Sequence, residues 1–204
     1  FGDVEKVGFN PTATLTLSED TELKFGYEHF KDERFNDRGI PSSNGSVYVT
    51  DPKTFFGNPN ENKVEAEVNS LYATLKHNFS DSLELVNRTR FADYNKFYQN
   101  VYTSGSVQSS GDISLTAYNN ETDRSNFTNQ TDLIKKFEVG EVGHTALFGT
   151  EITRQNSENL RLNGTFNGSS TVNINDALNF STITYGTVNS HNESTVDVLA
   201  GYIQ

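Results

Sequence analysis

The sequence predicts an all-β fold: an antiparallel up-and-down meander of about seven long strands, of the kind that builds a transmembrane β-barrel. Three observations predict it. Strict apolar/polar alternation recurs along the chain. Short polar turns fall near positions 20, 81 and 141, a spacing of about 60 residues that marks a repeated unit. Between them lie long stretches rich in Gly, Asn, Ser and Pro, at 36–64, 103–112 and 165–195. Short connections at one end and long ones at the other describe a meander with two unequal ends.

The elements follow in order. Phe9, Pro11, Ala13, Leu15 and Leu17 alternate with Asn10, Thr12, Thr14 and Thr16. The turn Ser18-Glu19-Asp20-Thr21 leads into Leu23, Phe25 and Tyr27, alternating with Glu22, Lys24, Gly26 and Glu28, which reads as a hairpin. The unit recurs as Leu71, Ala73, Leu75, His77 and Phe79, then Ser80-Asp81-Ser82, then Leu83, Leu85, Asn87, Thr89 and Phe91. A third copy runs from Phe127 to Phe137, turns at Val139–Gly143 and returns through His144–Ile152. The final strand shows Val196, Val198, Ala200 and Tyr202 as its apolar series.

The strands are long for a soluble sandwich, whose strands run to about 5–6 residues. From Thr21 towards Phe35 the alternation covers some 14 residues, about 45 Å of extended chain. That is enough to cross a membrane, which takes about 9–11 residues, and to project beyond it. The apolar face fades towards the long-loop end, where Phe91 is followed by Asp93, Asn95 and Lys96. The other face, with Glu22, Lys24, Glu28, Arg88, Arg90, Asp132 and Lys136, would line a wet or plugged interior. Secreted β-sandwiches, β-solenoids and adhesins are the competing class.

Composition narrows the field. The 204 residues carry a formal charge of −11 and contain no Cys, Met or Trp. The missing Cys excludes disulfide frameworks, thiol nucleophiles and Cys-based metal centres. An acidic chain without a Lys/Arg cluster is a poor match to nucleic-acid binders. No stretch approaches the roughly 18 apolar residues of a membrane helix, and the N-terminus lacks the regions of a signal peptide. At 33% hydrophobic but 12% aromatic, the chain has too many rings for a disordered acidic segment. The absent Met points to a processed chain or an internal piece.

The run Leu23-Lys24-Phe25-Gly26-Tyr27-Glu28-His29-Phe30-Lys31-Asp32-Glu33-Arg34, continued by Asn36-Asp37-Arg38-Gly39-Ile40-Pro41, resembles TonB-dependent ferric-siderophore receptors. In that family a long barrel strand enters an external loop through such an Asp-Arg-Gly-Ile-Pro sequence. Leu83–Phe91, Asn129–Leu133, His144–Glu151 and Ala200–Gln204 are similar, in order, to later strands of the same barrel. The resemblance implies an outer-membrane receptor for ferric siderophores, energised through a TonB-ExbB-ExbD complex. It is not an enzyme. The family has a plug inside a barrel of about 22 strands. Residues 1–204 would therefore be a middle segment of the barrel domain, with the plug and remaining strands elsewhere. The implied partners are the ferric siderophore, TonB through the plug, and outer-membrane lipid and lipopolysaccharide. The implied location is the bacterial outer membrane, with no cofactor beyond the transported ligand.

Candidate chemistry is sparse. His29, His77, His144 and His191 are far apart with no metal-ligand spacing, and no nucleophile elbow or phosphate loop occurs. No catalytic or metal residue is expected. Binding residues concentrate on loops held by rigid scaffolds. The first long loop offers Arg38, Tyr48, Phe55 and Phe56, and the strand leading to the second offers Phe97, Tyr98 and Tyr102. Rings and Arg are what a receptor uses to stack on and charge-pair with an iron chelate bearing catechol or hydroxamate groups. The competing role for each is to anchor loops to one another. The acidic balance argues against a simple electrostatic trap for an anionic chelate. Surface carboxylates could instead hold divalent cations that bridge lipopolysaccharide, although no loop has EF-hand spacing. A surface adhesin or structural β-domain, a porin and a barrel receptor for another nutrient are the alternatives.

Overall fold

The computed structural model describes residues 2–204 and contains one large antiparallel sheet. Its strands are β1 (Val4–Phe9), β2 (Thr12–Ser18), β3 (Thr21–Phe35), β6 (Lys63–Ser80), β7 (Leu83–Ser104), β8 (Asp112–Val139), β9 (Val142–Phe166) and β11 (Ile183–Ile203). A short β10 (Thr171–Asn173) adds to β8, and β4 (Ser42–Ser43) with β5 (Ser46–Val47) makes a separate small hairpin. The order is β1-β3-β6-β7-β8-β9-β11, each strand beside its predecessor in the meander. β1 and β2 form one edge, interrupted at Asn10-Pro11, where Tyr27 N–H donates to Pro11 O. Proline cannot donate to a ladder, so a break on an edge strand is where it is tolerated.

The short turns lie where alternation predicts them. Ser18 Oγ accepts from Asp20 N–H, Ser80 Oγ accepts from Ser82 N–H, and Gly140 takes the positive φ (65°) that a two-residue connection needs. At the other end β8 extends over 28 residues, about 90 Å of strand and several times a membrane crossing.

Cross-strand register sorts the side chains into two faces. One face carries Leu15, Leu23, Phe25, Leu71, Leu75, Leu85, Phe91, Phe127, Leu133, Phe148, Ile152, Leu199 and Ile203 in adjoining rows, many of them among the largest exposed hydrophobics. This is a lipid-facing band. Its upper edge is a single row running Tyr27, Leu71, Phe91, Phe127, Arg154, Asp197 across six strands. Below, His77 packs edge-on against Phe79 and His144 stacks on Phe137, an aromatic and imidazole girdle at the short-turn end. Within the band Asn87, Thr89, Asn129 and Thr131 bond one another at 2.7–3.2 Å, the two amides exchanging hydrogen bonds and each donating to a threonine hydroxyl. A polar quartet facing lipid is thereby satisfied internally.

The final strand departs from expectation. Leu199, Gly201 and Ile203 pair with Ile152, Thr150 and Phe148 on the lipid side, whereas Val198, Ala200 and Tyr202 face inward. Two interleaved apolar series occupy this strand, and only pairing with β9 decides between them. The third long loop is also shorter than 165–195. β11 begins at Ile183 and stays paired with β9 through two register shifts, because Ser, Thr and Asn are ordinary strand residues where a hairpin stands in water.

Above the lipid band the loops fold onto the same side of the sheet. Phe56, Val101, Ile113, Leu115, Ala117, Val172, Ala177 and Ile183 form the buried core there. Segment 36–62 is fixed by Asn62, whose side chain accepts from Val101 N–H and donates to Val101 O, and by Gly57, whose carbonyl accepts from Asn179 N–H. Segment 167–182 is clasped to β8 by Asn173, which donates to Asp112 at 2.9 Å. Hydrogen bonds from Asn173 and Ser110 hold the Asp112 carboxyl below the usual carboxylate range. Burial, reinforced by the Glu61 carboxylate, pushes the Tyr185 hydroxyl above its ordinary range. The loops thus make a fixed wall.

Candidate functional site

The inward face changes character along its length. In its lower half three cations meet carboxylates: Arg88 with Asp132 (2.5 Å), Lys76 with Glu84 (2.9 Å) and Arg90 with Glu28 (3.6 Å). Gly26 and Gly149 lie here, each directly opposite a tyrosine whose ring covers it. A Cβ on Gly149 would sit 2.0 Å from the Tyr202 ring, and one on Gly26 would sit 2.4 Å from Tyr72. Lying over Gly149, the Tyr202 hydroxyl donates to Asp132 and accepts from Gln130.

The upper half is built differently. Consecutive inward residues of β7, Lys96, Tyr98, Asn100 and Tyr102, face Thr122, Asn120, Tyr118 and Thr116 of β8, and Asn120 is next to Arg161 of β9. Tyr118 is central and only 6% exposed, with Tyr98 and Tyr102 edge-on to it at 5.8 and 5.7 Å. Each ring carries a cation: Arg161 at 3.6 Å over Tyr118, Arg38 at 5.3 Å over Tyr102 and Lys96 at 5.4 Å over Tyr98. Such contacts hold a guanidinium or ammonium against a ring face while its N–H groups stay available.

Arg38 reaches this cluster through local chain chemistry. Asp37 Oδ1 accepts from Gly39 N–H (2.8 Å), and Gly39 adopts φ 86°, which only glycine takes without strain. This turn sets Arg38 above Tyr102, while Ile40 packs on the loop core and Pro41 is buried. Asn36, just before the turn, donates to the buried Asn100.

The sequence-derived candidates divide accordingly. Arg38, Tyr98 and Tyr102 come together in the cluster. Phe55 and Phe56 are 3% and 1% exposed, Phe55 against Phe35 and Phe56 in the loop core, so they anchor loops and leave the candidate set. Phe97 has the parity of the lipid side, beneath Lys63, and faces away from the cluster. Tyr48 is apart, its N–H bonded to Pro41 O beside the small hairpin. Tyr118, Lys96 and Arg161 were missed. The even-numbered series through Tyr98 and Tyr102 could have suggested Lys96, but Tyr118 and Arg161 join only through register across β7, β8 and β9.

Charge is segregated between the faces. On the upper inward wall the strand cations are Lys6, Arg34, Lys96, Arg124 and Arg161, and the strand carboxylates among the described residues are Asp32 and, at the start of β8, Asp112, which Ser110 and Asn173 bond. Asp32 is taken by Arg34 at 2.9 Å and Lys6 at 3.8 Å. Among the described residues Arg38, Lys96, Arg124 and Arg161 form no ion pair, although Arg124 donates to Ser157 at 2.8 Å. Glu33, Glu65, Glu67, Asp93, Glu121, Asp123, Glu158 and Glu193 occupy the opposite face at these heights. At these heights the carboxylates lie mostly outside and the inner wall is cationic. Glu158, His191 and Glu193 are the one grouping of three potential metal ligands among the described residues, all exposed on the outer side with His191 3.0 Å from Glu158.

No family model matches the chain. It is similar to the metal-pseudopaline receptor CntO of Pseudomonas aeruginosa, with 22% identity over 169 residues, 79% of this chain and 23% of the relative. It is similar also to the catecholate siderophore receptor Fiu of Escherichia coli, with 24% identity over 182 residues, 78% of this chain and 24% of the relative. The chain thus spans about a quarter of the length of these curated relatives. Among solved structures, the outer-membrane ferripyoverdine receptor of Pseudomonas aeruginosa bound to ferripyoverdine superposes with a TM-score of 0.88 at 14% identity, covering 99% of this chain and 28% of that one. The ferric-catecholate import receptor Fiu gives 0.77 at 22% identity over 98% of this chain and 31% of that one. These relatives are receptors and not enzymes, and the sheet described above is a section of their barrel wall.

Proposed function

We propose that this chain, a section of the transmembrane barrel common to TonB-dependent siderophore receptors, serves in the uptake of a ferric siderophore across a bacterial outer membrane. In this reading residues 1–204 belong to the barrel domain, and the rest of the polypeptide supplies the plug and the strands that pair with the free edges of β2 and β11. Open sheet edges are not tolerated in hydrocarbon. The observation that carries the reading is the inward cluster of Tyr98, Tyr102 and Tyr118, each ring bearing a cation, above a wall whose outer side is a lipid band. An adhesin has no use for that band, and a passive pore has none for a fixed set of stacked rings.

External capture on these rings precedes passage. Tyrosine faces and unpaired guanidinium N–H groups hold the chelate by stacking and charge-assisted hydrogen bonds. Transport then requires energy from the inner membrane, delivered by TonB through the plug. Outer-membrane lipid and lipopolysaccharide surround the apolar band and the acidic zone above it.

The test is uptake of radioiron as ferric siderophore by iron-starved cells carrying or lacking the gene for the complete receptor. Uptake is expected to need the receptor and to stop when TonB is deleted. Iron uptake unaffected by loss of the receptor would remove the proposal.

A further inference from the structure

We infer that the upper inner wall selects its ferric chelate by negative charge, taking a polyanionic, aromatic complex of the tris-catecholate type over a neutral tris-hydroxamate. The inference rests on the receptor reading above and names the substrate class of the same site.

The argument begins with charge balance. Cations on a protein wall normally have counter-charges, and in the lower half of this one Lys24, Lys76, Arg88, Arg90 and Lys136 share the inward face with Glu22, Glu28, Glu84, Asp132 and Glu151, with Lys76, Arg88 and Arg90 each meeting a carboxylate. In the upper half Arg38, Lys96, Arg124 and Arg161 lack one among the described residues. In a chain of net charge −11, with carboxylates on the opposite face at the same heights, the inward rows carry an excess of cations in the upper half that the lower half lacks. The neutral rows around it are amides, hydroxyls and phenols that accommodate either charge state, so the cations decide.

The second element is ring chemistry. Arg161 sits 3.6 Å over the Tyr118 ring, which holds its guanidinium in place. Tyr98 and Tyr102 are half-buried edge-on neighbours of Tyr118, leaving ring surface open beside Lys96 and Arg38. A ligand with flat rings and oxyanions at their edges matches rings and cations together. Ferric iron bound by three doubly deprotonated catechols is a trianion made of such rings. Three singly deprotonated hydroxamates give a neutral complex, which offers nothing to offset desolvation of these cations.

The experiment uses the full-length receptor in detergent and equilibrium dialysis with two radioiron probes, a tripodal ferric tris-catecholate and a neutral ferric tris-hydroxamate. The catecholate is expected to bind at least about tenfold tighter. Raising salt and the combined variant Arg38→Gln, Lys96→Gln, Arg161→Gln should both erase most of that preference. Lys53→Gln with Lys63→Gln, equal in kind but on the loop and outer face, should leave it in place and controls for folding. Equal or tighter binding of the hydroxamate, or a preference insensitive to salt and to the inner variant, overturns charge selection and leaves the receptor reading standing. Binding of neither probe overturns both.

Discussion

At the scale of single residues, burial separates structural rings from binding rings. Phe56 is enclosed by Val101, Ile113, Leu115 and Val172, so Phe56→Ala should cost about 3–5 kcal/mol and loosen segment 36–62. Limited proteolysis of the complete receptor would show the new cleavage in that loop. Gly149→Ala places a methyl where the Tyr202 ring lies, and the ring must swing away from Asp132 and Gln130. A lower melting temperature is expected, and Gly149→Ala combined with Tyr202→Ala should recover part of it. Residue roles were legible where local chemistry is decisive. Asp37–Pro41 announces the entry into a loop that carries Arg38, and Gly140 falls within the turn expected at Val139–Gly143. They were illegible where burial depends on distant chain, as for Phe55, hidden against Phe35 of β3, and Phe56, hidden among Val101, Ile113, Leu115 and Val172.

At the scale of elements, side-chain parity decides what a strand tolerates. Leu75 of β6 faces lipid beside Asn87, whereas its neighbour Thr74 faces inward beside Arg88. Leu75→Arg is expected to cost about 2–4 kcal/mol of folding into a bilayer, and Thr74→Arg much less, read from refolding yield into lipid vesicles. The β10 clasp gives a pH prediction. Asp112 titrates lower when bonded by Asn173 and Ser110 than in an unfolded chain, so the clasp's contribution is complete above the ordinary carboxylate range, near pH 4. It fades as pH falls through the lower folded value. Amide exchange in segment 167–182 should therefore stay slow from neutral pH to about pH 4, relative to intrinsic rates, and quicken below it. Strand existence and turn positions were legible because alternation needs only the sequence. The side on which Leu199 or Val198 falls was not, because that is fixed by pairing with β9.

At the scale of the whole molecule, net charge proved a poor guide to the site. Above the lipid band carboxylates lie mostly on the outer side and unpaired cations on the inner, so the average of −11 conceals a wall of opposite sign. Capture of an anionic chelate by the complete receptor should weaken with ionic strength, since the Debye length shrinks from about 10 Å at 0.1 M to 3 Å at 1 M salt, and binding titrations across that range would show it. The lipid-facing quartet of Asn87, Thr89, Asn129 and Thr131 bears on assembly. Its two amides belong to different strands, and each bonds the partner strand's amide and threonine. Neither β7 nor β8 can enter hydrocarbon alone without stranding a carboxamide, at several kcal/mol apiece. Insertion therefore has an order written into it: the two strands must zip into register in the periplasm or at the membrane surface, and only the closed hairpin can move into the bilayer.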